Sequence, residues 1–185
     1  MEKLPDLSLS HFELNVKDAA RMEDFYSRVL GFVVTDRGEG PRGLVFLSHS
    51  PDEHHQVVLN PGTGSTGKGR RMDHLSFRVR SIAALRAFHV RLAAEPDVEL
   101  TTVSHGTTWS VYLRDPEENR LELFTDTPWH VDQPCRFPVD LTLDDDALAA
   151  FTEKKIRAMP GFKRAEEWQK THVSLLAGEQ EKPGS

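Results

Sequence analysis

The chain has 185 residues, 38% hydrophobic and 28% charged, which suits one compact folded unit and excludes extended disorder or two large independent domains. A formal net charge of −6 without a concentrated basic patch argues against nucleic acid or an anionic membrane surface as the main partner, leaving a small molecule. Cys135 is the only cysteine, so no intrachain disulfide can form, and with Pro5 in an acidic N-terminal stretch and no long apolar run the expected location is cytoplasmic.

The first periodic segment, His11-Phe12-Glu13-Leu14-Asn15-Val16, alternates with period two and predicts a half-buried strand. Met22, Phe25, Tyr26 and Val29 then recur at helical spacing, and Gly31 is placed to end that helix. Short apolar runs at 32–35, 44–47 and 56–59 predict three further strands. A glycine-rich stretch at about 60–71 reads as a linker. Within it, Gly62 to Lys68 matches a phosphate-loop pattern, but Gly69 stands where a Mg²⁺-binding hydroxyl is needed and a strand follows instead of a helix, so a nucleotide site is rejected.

His74-Leu75-Ser76-Phe77-Arg78-Val79 opens a second copy at an offset of 63 residues. Leu85, Phe88, His89 and Leu92 repeat the helical spacing, with Met22 falling on Leu85 and Phe25 on Phe88. Strands are expected at 98–103, 109–113 and 120–124, and in the last hairpin Pro116 matches Pro51 at an offset of 65. The unit is βαβββ, twice. After Asp126 an extended segment carries Trp129, His130 and 134–138, Asp144 caps a helix running toward Met159, and a short helix is expected over 166–176.

These readings predict an α+β fold: two paired βαβββ modules forming a concave sheet cup around a metal site, with a C-terminal helical tail. The expected boundaries are one domain over 1–134, with modules at about 7–60 and 71–127, and a helical extension over 135–185.

Strand parity puts His11 and Glu13 on one face and Phe12 and Leu14 on the helix-facing side; His74 makes the same choice. Glu122 lies between Leu121 and Leu123, so its carboxylate faces the same cavity, where a charge without a cation would be costly. Two imidazoles and one carboxylate suit Fe(II), Mn(II) or Zn(II) and leave coordination positions open. At the 65-residue register the first-copy counterpart of Glu122 is Val57, which cannot bind a metal.

Over about residues 7–127 the chain resembles the vicinal oxygen chelate superfamily, and within it the one-domain type I extradiol catechol dioxygenases. The segment from Phe46 through His54, His55 and Val58 is similar to the one whose second histidine is the acid/base, a role the resemblance gives to His55. The run from Tyr112 through Asp115-Pro116-Glu117-Glu118 to Glu122 resembles the signature in which the tyrosine contacts substrate oxygens; Glu118 replaces the usual glycine. His105 resembles a further active-site histidine. Trp129 and His130 are expected to line the cavity or to seal the tail against the sheet.

The resemblance implies Fe(II)-dependent cleavage of a catechol-type ring with O2, giving a hydroxymuconic semialdehyde-like product. Metal ligands His11, His74 and Glu122 would act with His55, Tyr112 and His105. The alternatives are a Mn(II)-dependent thiol transferase of the fosfomycin-resistance type and a non-catalytic binder of aromatic ligands. Exposed sheet edges add a homodimer or higher homo-oligomer as an expected assembly.

Overall fold

The computed structural model describes residues 9–38, 43–61 and 73–176. The N-terminal stretch, the Gly62–Lys68 motif and most of the expected linker lie outside these residues.

The first copy forms β1 (Phe12–Val16), α1 (Ala19–Asp24), β2 (Val33–Arg37), β3 (Val45–Ser48) and β4 (Val57–Pro61). Asp18 caps α1 by accepting from the Arg21 amide at 3.0 Å. The expected single helix is instead α1 followed by a π-helical turn over Phe25–Val29, which buries Phe25, Tyr26 and Val29 together. Gly31 ends it with φ +82°. The second copy repeats the plan with β5 (Leu75–Arg78), α2 (Ile82–Ala93), β6 (Thr101–Ser104), β7 (Thr108–Arg114) and β8 (Arg120–Asp126). Ser81 caps α2 through the Ala84 amide.

The first sheet runs β1-β4-β3-β2 with β1 parallel to β4, and the second carries the equivalent order β6-β7-β8-β5 with β5 parallel to β8. Each helix covers one face of its own sheet, so Leu85 and Leu92 of α2 repeat the burial of Met22 and Val29. The ladders correct one register. Glu13 pairs with Val58 and Ser76 with Glu122, so the first-copy counterpart of Glu122 is Val58, at an offset of 64, while Val57 turns into the core. Valine cannot coordinate a metal in either register, so the inference drawn from it stands.

Among the described residues the two sheets share no ladder, and the copies dock through side chains. The Phe77 ring packs against Phe12 and Phe32, at 6.1 and 5.6 Å between centroids. Tyr26 donates its buried hydroxyl to Asp115, the Glu117 carboxylate accepts from the Lys17 and Asp18 amides at 2.7 and 2.8 Å, and Arg28 grips Glu95 with two bonds. Glu118 has φ +69°, the left-handed backbone expected where the usual glycine is replaced.

The extension contains β9 (Trp129–His130), β10 (Phe137–Pro138), α3 (Asp145–Ile156), β11 (Lys163–Arg164) and α4 (Ala165–Leu176). Strand β10 joins the second sheet beside β6, and β9 pairs with β11. Asp144 caps α3, as its sequence position suggests. Trp109 donates its buried indole N–H to Thr152 of α3 at 2.9 Å, and Arg86 of α2 binds the Leu141 and Leu143 carbonyls. The extension is thereby packed onto the second copy.

Gly106, in the β6–β7 turn, has φ +75°, and a Cβ there would sit 2.5 Å from Val131 Cγ2. Gly106→Ala is expected to destabilise the fold by about 2–4 kcal/mol, combining left-handed strain with overpacking. Denaturant unfolding reads this directly; an unchanged midpoint would mean that the extension is not seated on the turn.

Candidate metal and proton-transfer site

Glu122 sits in the middle of β8, flanked by Ser76 on β5 and Tyr112 on β7 in the ladder register. It is 7% exposed. Ser76 donates its hydroxyl to Glu122 Oε2 at 2.5 Å. Burial, the largest influence, opposes the charge, yet hydrogen bonds from Ser76, Ser110 and Tyr112 outweigh it and hold the carboxyl below its ordinary value.

His74 Nε2 lies 3.3 Å from Glu122 Oε2, and its other nitrogen, Nδ1, lies 2.7 Å from Asp73 Oδ2. A carboxylate only accepts, so the contact with Asp73 takes the Nδ1 hydrogen and fixes the ring with Nε2 turned toward the Glu122 carboxylate. Arg120 holds Asp73 at 2.9 Å and covers the Tyr112 ring, 4.4 Å from its centroid. The bond to His74, foremost, keeps the Asp73 carboxyl below its usual range.

Tyr112 lies with its hydroxyl 3.0 Å from His105 Nε2, which in turn stands 3.9 Å from Glu122 Oε1. Burial first, then the Glu122 carboxylate, pushes the Tyr112 phenol well above its ordinary value, so it is a neutral donor at physiological pH. His105 is thus part of the site. A cavity of about 660 Å³ opens between α1 and β7 and reaches Tyr112 and Arg120, but it touches neither Glu122 nor His74.

His11 is placed elsewhere. It is exposed at the start of β1, its ring 4.4 Å from that of His55. His55 also contacts Phe46, at 5.1 Å, and His54, whose Nδ1 is 3.0 Å from its own. Burial, then the neighbouring His11, lowers the His55 pKa. His55 precedes β4, so the alternation argued from Val57 does not govern it; the chain reaches Phe46 and His11 through the turn instead.

The predicted set is therefore divided in one chain. His74, Glu122, Tyr112 and His105 converge on the second sheet, and His11 and His55 stand together on the first. Among the described residues no hydrogen bond, ion pair or ring contact links the two groups, and no three His, Cys, Asp or Glu side chains have the geometry of a metal site. Among the described residues one chain brings His74 and Glu122 together without His11, so these residues do not assemble the three expected donors.

Trp129 and His130 are not brought to either group. Trp129 is 5% exposed within the core, and His130 stacks on Trp168 of α4 at 4.9 Å and lies 3.8 Å from Asp132. Their surroundings match the sealing role, Trp129 lying in the core and His130 stacked on a helix of the extension. Asp73, Ser76 and Arg120 were missed by the sequence reading. Ser76 follows His74 by two residues and Arg120 precedes Glu122 by two, so strand parity held the signal for both.

The family model described as Glyoxalase/Bleomycin resistance protein/Dioxygenase superfamily matches residues 8–123. Biphenyl-2,3-diol 1,2-dioxygenase 3 of Rhodococcus globerulus is 32% identical over 123 residues, 64% of this chain and 63% of that protein. Lactoylglutathione lyase of Escherichia coli O157:H7 is 27% identical over 123 residues, 63% of this chain and 91% of the lyase. Among solved structures, a glyoxylase/bleomycin resistance protein/dioxygenase domain from Frankia sp. EAN1pec superposes with a TM-score of 0.58 at 24% identity, covering 68% of this chain and 96% of that one. At that identity the likeness speaks for the fold alone. The chain spans less than two thirds of the dioxygenase it matches.

Proposed function

Starting from the glyoxalase/bleomycin resistance protein/dioxygenase superfamily, to which this chain belongs, we propose that it is an Fe(II)-dependent extradiol dioxygenase acting on a catechol-type ring, with its metal set completed by a second copy of the chain. The observation that carries the reading is the Glu122 group. A buried carboxylate, an imidazole whose Nε2 is turned toward it by the bond from its other nitrogen to Asp73, and a neutral tyrosine share one sheet face. The matched dioxygenase, whose name specifies an aromatic diol, supports the substrate class.

The missing donor is His11, which is exposed in its own chain and paired with His55. In a homo-oligomer, His11 of one copy would join His74 and Glu122 of another, and His55 would arrive with it. His11, His74 and Glu122 would hold a ferrous ion there, which would supply Lewis acidity toward a substrate hydroxyl and redox chemistry with O2. The protein's own groups account for the rest. Tyr112 donates a hydrogen bond that orients the substrate oxygens, His55 and His105 Nε2 are placed to accept and return protons, and Arg120 shields the tyrosine from water.

The test is anaerobic reconstitution with Fe(II) followed by substituted catechols and an oxygen electrode. Uptake of one O2 per substrate, with a yellow product heavier by two oxygen atoms, is the expected result. No uptake with any catechol would remove the dioxygenase reading.

A second reading has one specific observation in its favour. The match to lactoylglutathione lyase extends over 91% of that protein, so this chain has a lyase-like domain size. Turnover of a thiol adduct with Mn(II) or another divalent ion, without O2, would select that reading or the related thiol transfer.

A further inference from the structure

The cavity of about 660 Å³ beside Tyr112 carries a charge pattern that stability alone would disfavour. Arg114 and Arg120 stand directly opposite each other in the β7–β8 ladder, on the sheet face that holds Tyr112 and Glu122, and both line the cavity. Like charges so placed are destabilising. Each has a carboxylate nearby, Glu118 at 3.6 Å from Arg114 and Asp73 at 2.9 Å from Arg120, but both carboxylates are exposed, so these are screened surface pairs that compensate little.

A third guanidinium comes from the extension, outside the region matched by the family model, which ends at residue 123. Arg136 immediately precedes β10, whose Pro138 pairs with Val103 on β6, and Thr101 of β6 is the ladder partner of Tyr112. That register brings Arg136 to the cavity wall, where its charge is felt at the phenol: burial, foremost, raises the Tyr112 pKa, while Arg120 and Arg136 pull it down. Among the described residues Arg136 has no hydrogen-bond or ion-pair partner. Of the acidic side chains in the lining, Asp24 and Glu95 are engaged by Arg28, and Asp115 by Tyr26 and Asn119. Asp97 and Glu99 are exposed on the segment before β6.

We propose that this cavity is a subsite for a carboxylate carried on the substrate, with Arg136 as its main donor and Arg114 beside it, so that the ring cleaved is a catechol with an anionic side chain. The catechol rests on the dioxygenase reading given above; the anion subsite does not. A guanidinium meets a carboxylate with two parallel N–H donors, and Arg136 gives up no existing bond to do so. A ring whose oxygens are held at the Tyr112 hydroxyl has this cavity next to it, and the volume lies within the range of ~300–1,000 Å³ usual for ligand pockets. Charge, not bulk, is then what the subsite selects.

The experiment is calorimetric titration of the full chain, without added metal, with 3,4-dihydroxyphenylacetate and with its uncharged amide. The wild type should bind the acid about 10-fold more tightly, the lower end for a hydrogen bond to a charged group because Arg136 is exposed. Arg136→Gln should abolish that preference and leave binding of the amide unchanged. Arg157→Gln, at an exposed arginine paired with Glu153 and outside the cavity, should retain it. Equal affinities in the wild type overturn the proposal, as do binding of neither probe and a folded Arg136→Gln protein with the wild-type preference. Phenylacetate and its amide, which lack the diol, repeat the measurement independently of ring cleavage. An Arg136-dependent preference for phenylacetate without O2 uptake from any catechol would count against ring cleavage only, and O2 uptake without a preference for the acid against the subsite only.

Discussion

Mixing the His11→Ala and Glu122→Ala chains should restore turnover that neither shows alone. Each variant lacks one of the three proposed metal donors in every site it can form with itself. Substitutions that only support metal ligands already cost about 10–100-fold, so loss of a donor should cost roughly 100-fold or more. In a mixed dimer the two defects segregate. One site receives the mutated His11 and the mutated Glu122 together, and the other receives His11 from one chain with His74 and Glu122 from its partner. Random mixing makes about half the dimers mixed, each with one intact site, so about a quarter of wild-type activity should return. The expectation comes from the division seen in one chain, where His11 stacks on His55 while His74 lies 3.3 Å from Glu122. Co-expression with two different tags, followed by sequential purification of the mixed species, makes the measurement, and the purified mixed dimer should reach about half of wild-type activity. Mixed dimers no more active than their parents would mean that His11 does not act across chains.

The duplication was legible because it is written in two independent periods. Histidine-led alternation locates β1 and β5, and the apolar spacings at Met22–Phe25–Val29 and Leu85–Phe88–Leu92 locate the helices at the same 63-residue offset. Parity put Glu122 opposite the helix layer, and the ladders set it there between Ser76 and Tyr112. Parity failed where it was carried across a turn. The hairpins differ by one residue from the offset read at Pro51 and Pro116, which moved the match of Glu122 from Val58 to Val57, and His55 lies before β4, where alternation has no force. What parity cannot carry at all is the distance between sheets. His11 and His74 hold equivalent places in their own modules, and equivalence says nothing about whether one chain or two bring them together. The extension was legible as helices but not as a part of the site, because His105 meets Cys135 through a backbone carbonyl, a group that every residue possesses.

His55→Ala should leave assembly and metal content intact and lower oxygen uptake by about 10²–10⁴-fold, the range for loss of a general acid/base. The ring stacks on His11, at 4.4 Å between centroids, and is not itself one of the three donors, so its removal leaves the coordinating atoms in place. Metal analysis and kinetics on one sample separate the two effects; full activity would remove His55 from the reaction. The division of the site also predicts which partners can rescue which defects. His55 belongs with His11, so His55→Ala should be complemented by Glu122→Ala chains and not by His11→Ala chains. His105 belongs with Glu122, through Tyr112, so His105→Ala should show the opposite preference. A rescue pattern that follows the sheets in this way would assign one proton-transfer group to each chain. Rescue of His55→Ala by His11→Ala would contradict the pairing seen in the fold, because both lesions would then have to act in different sites.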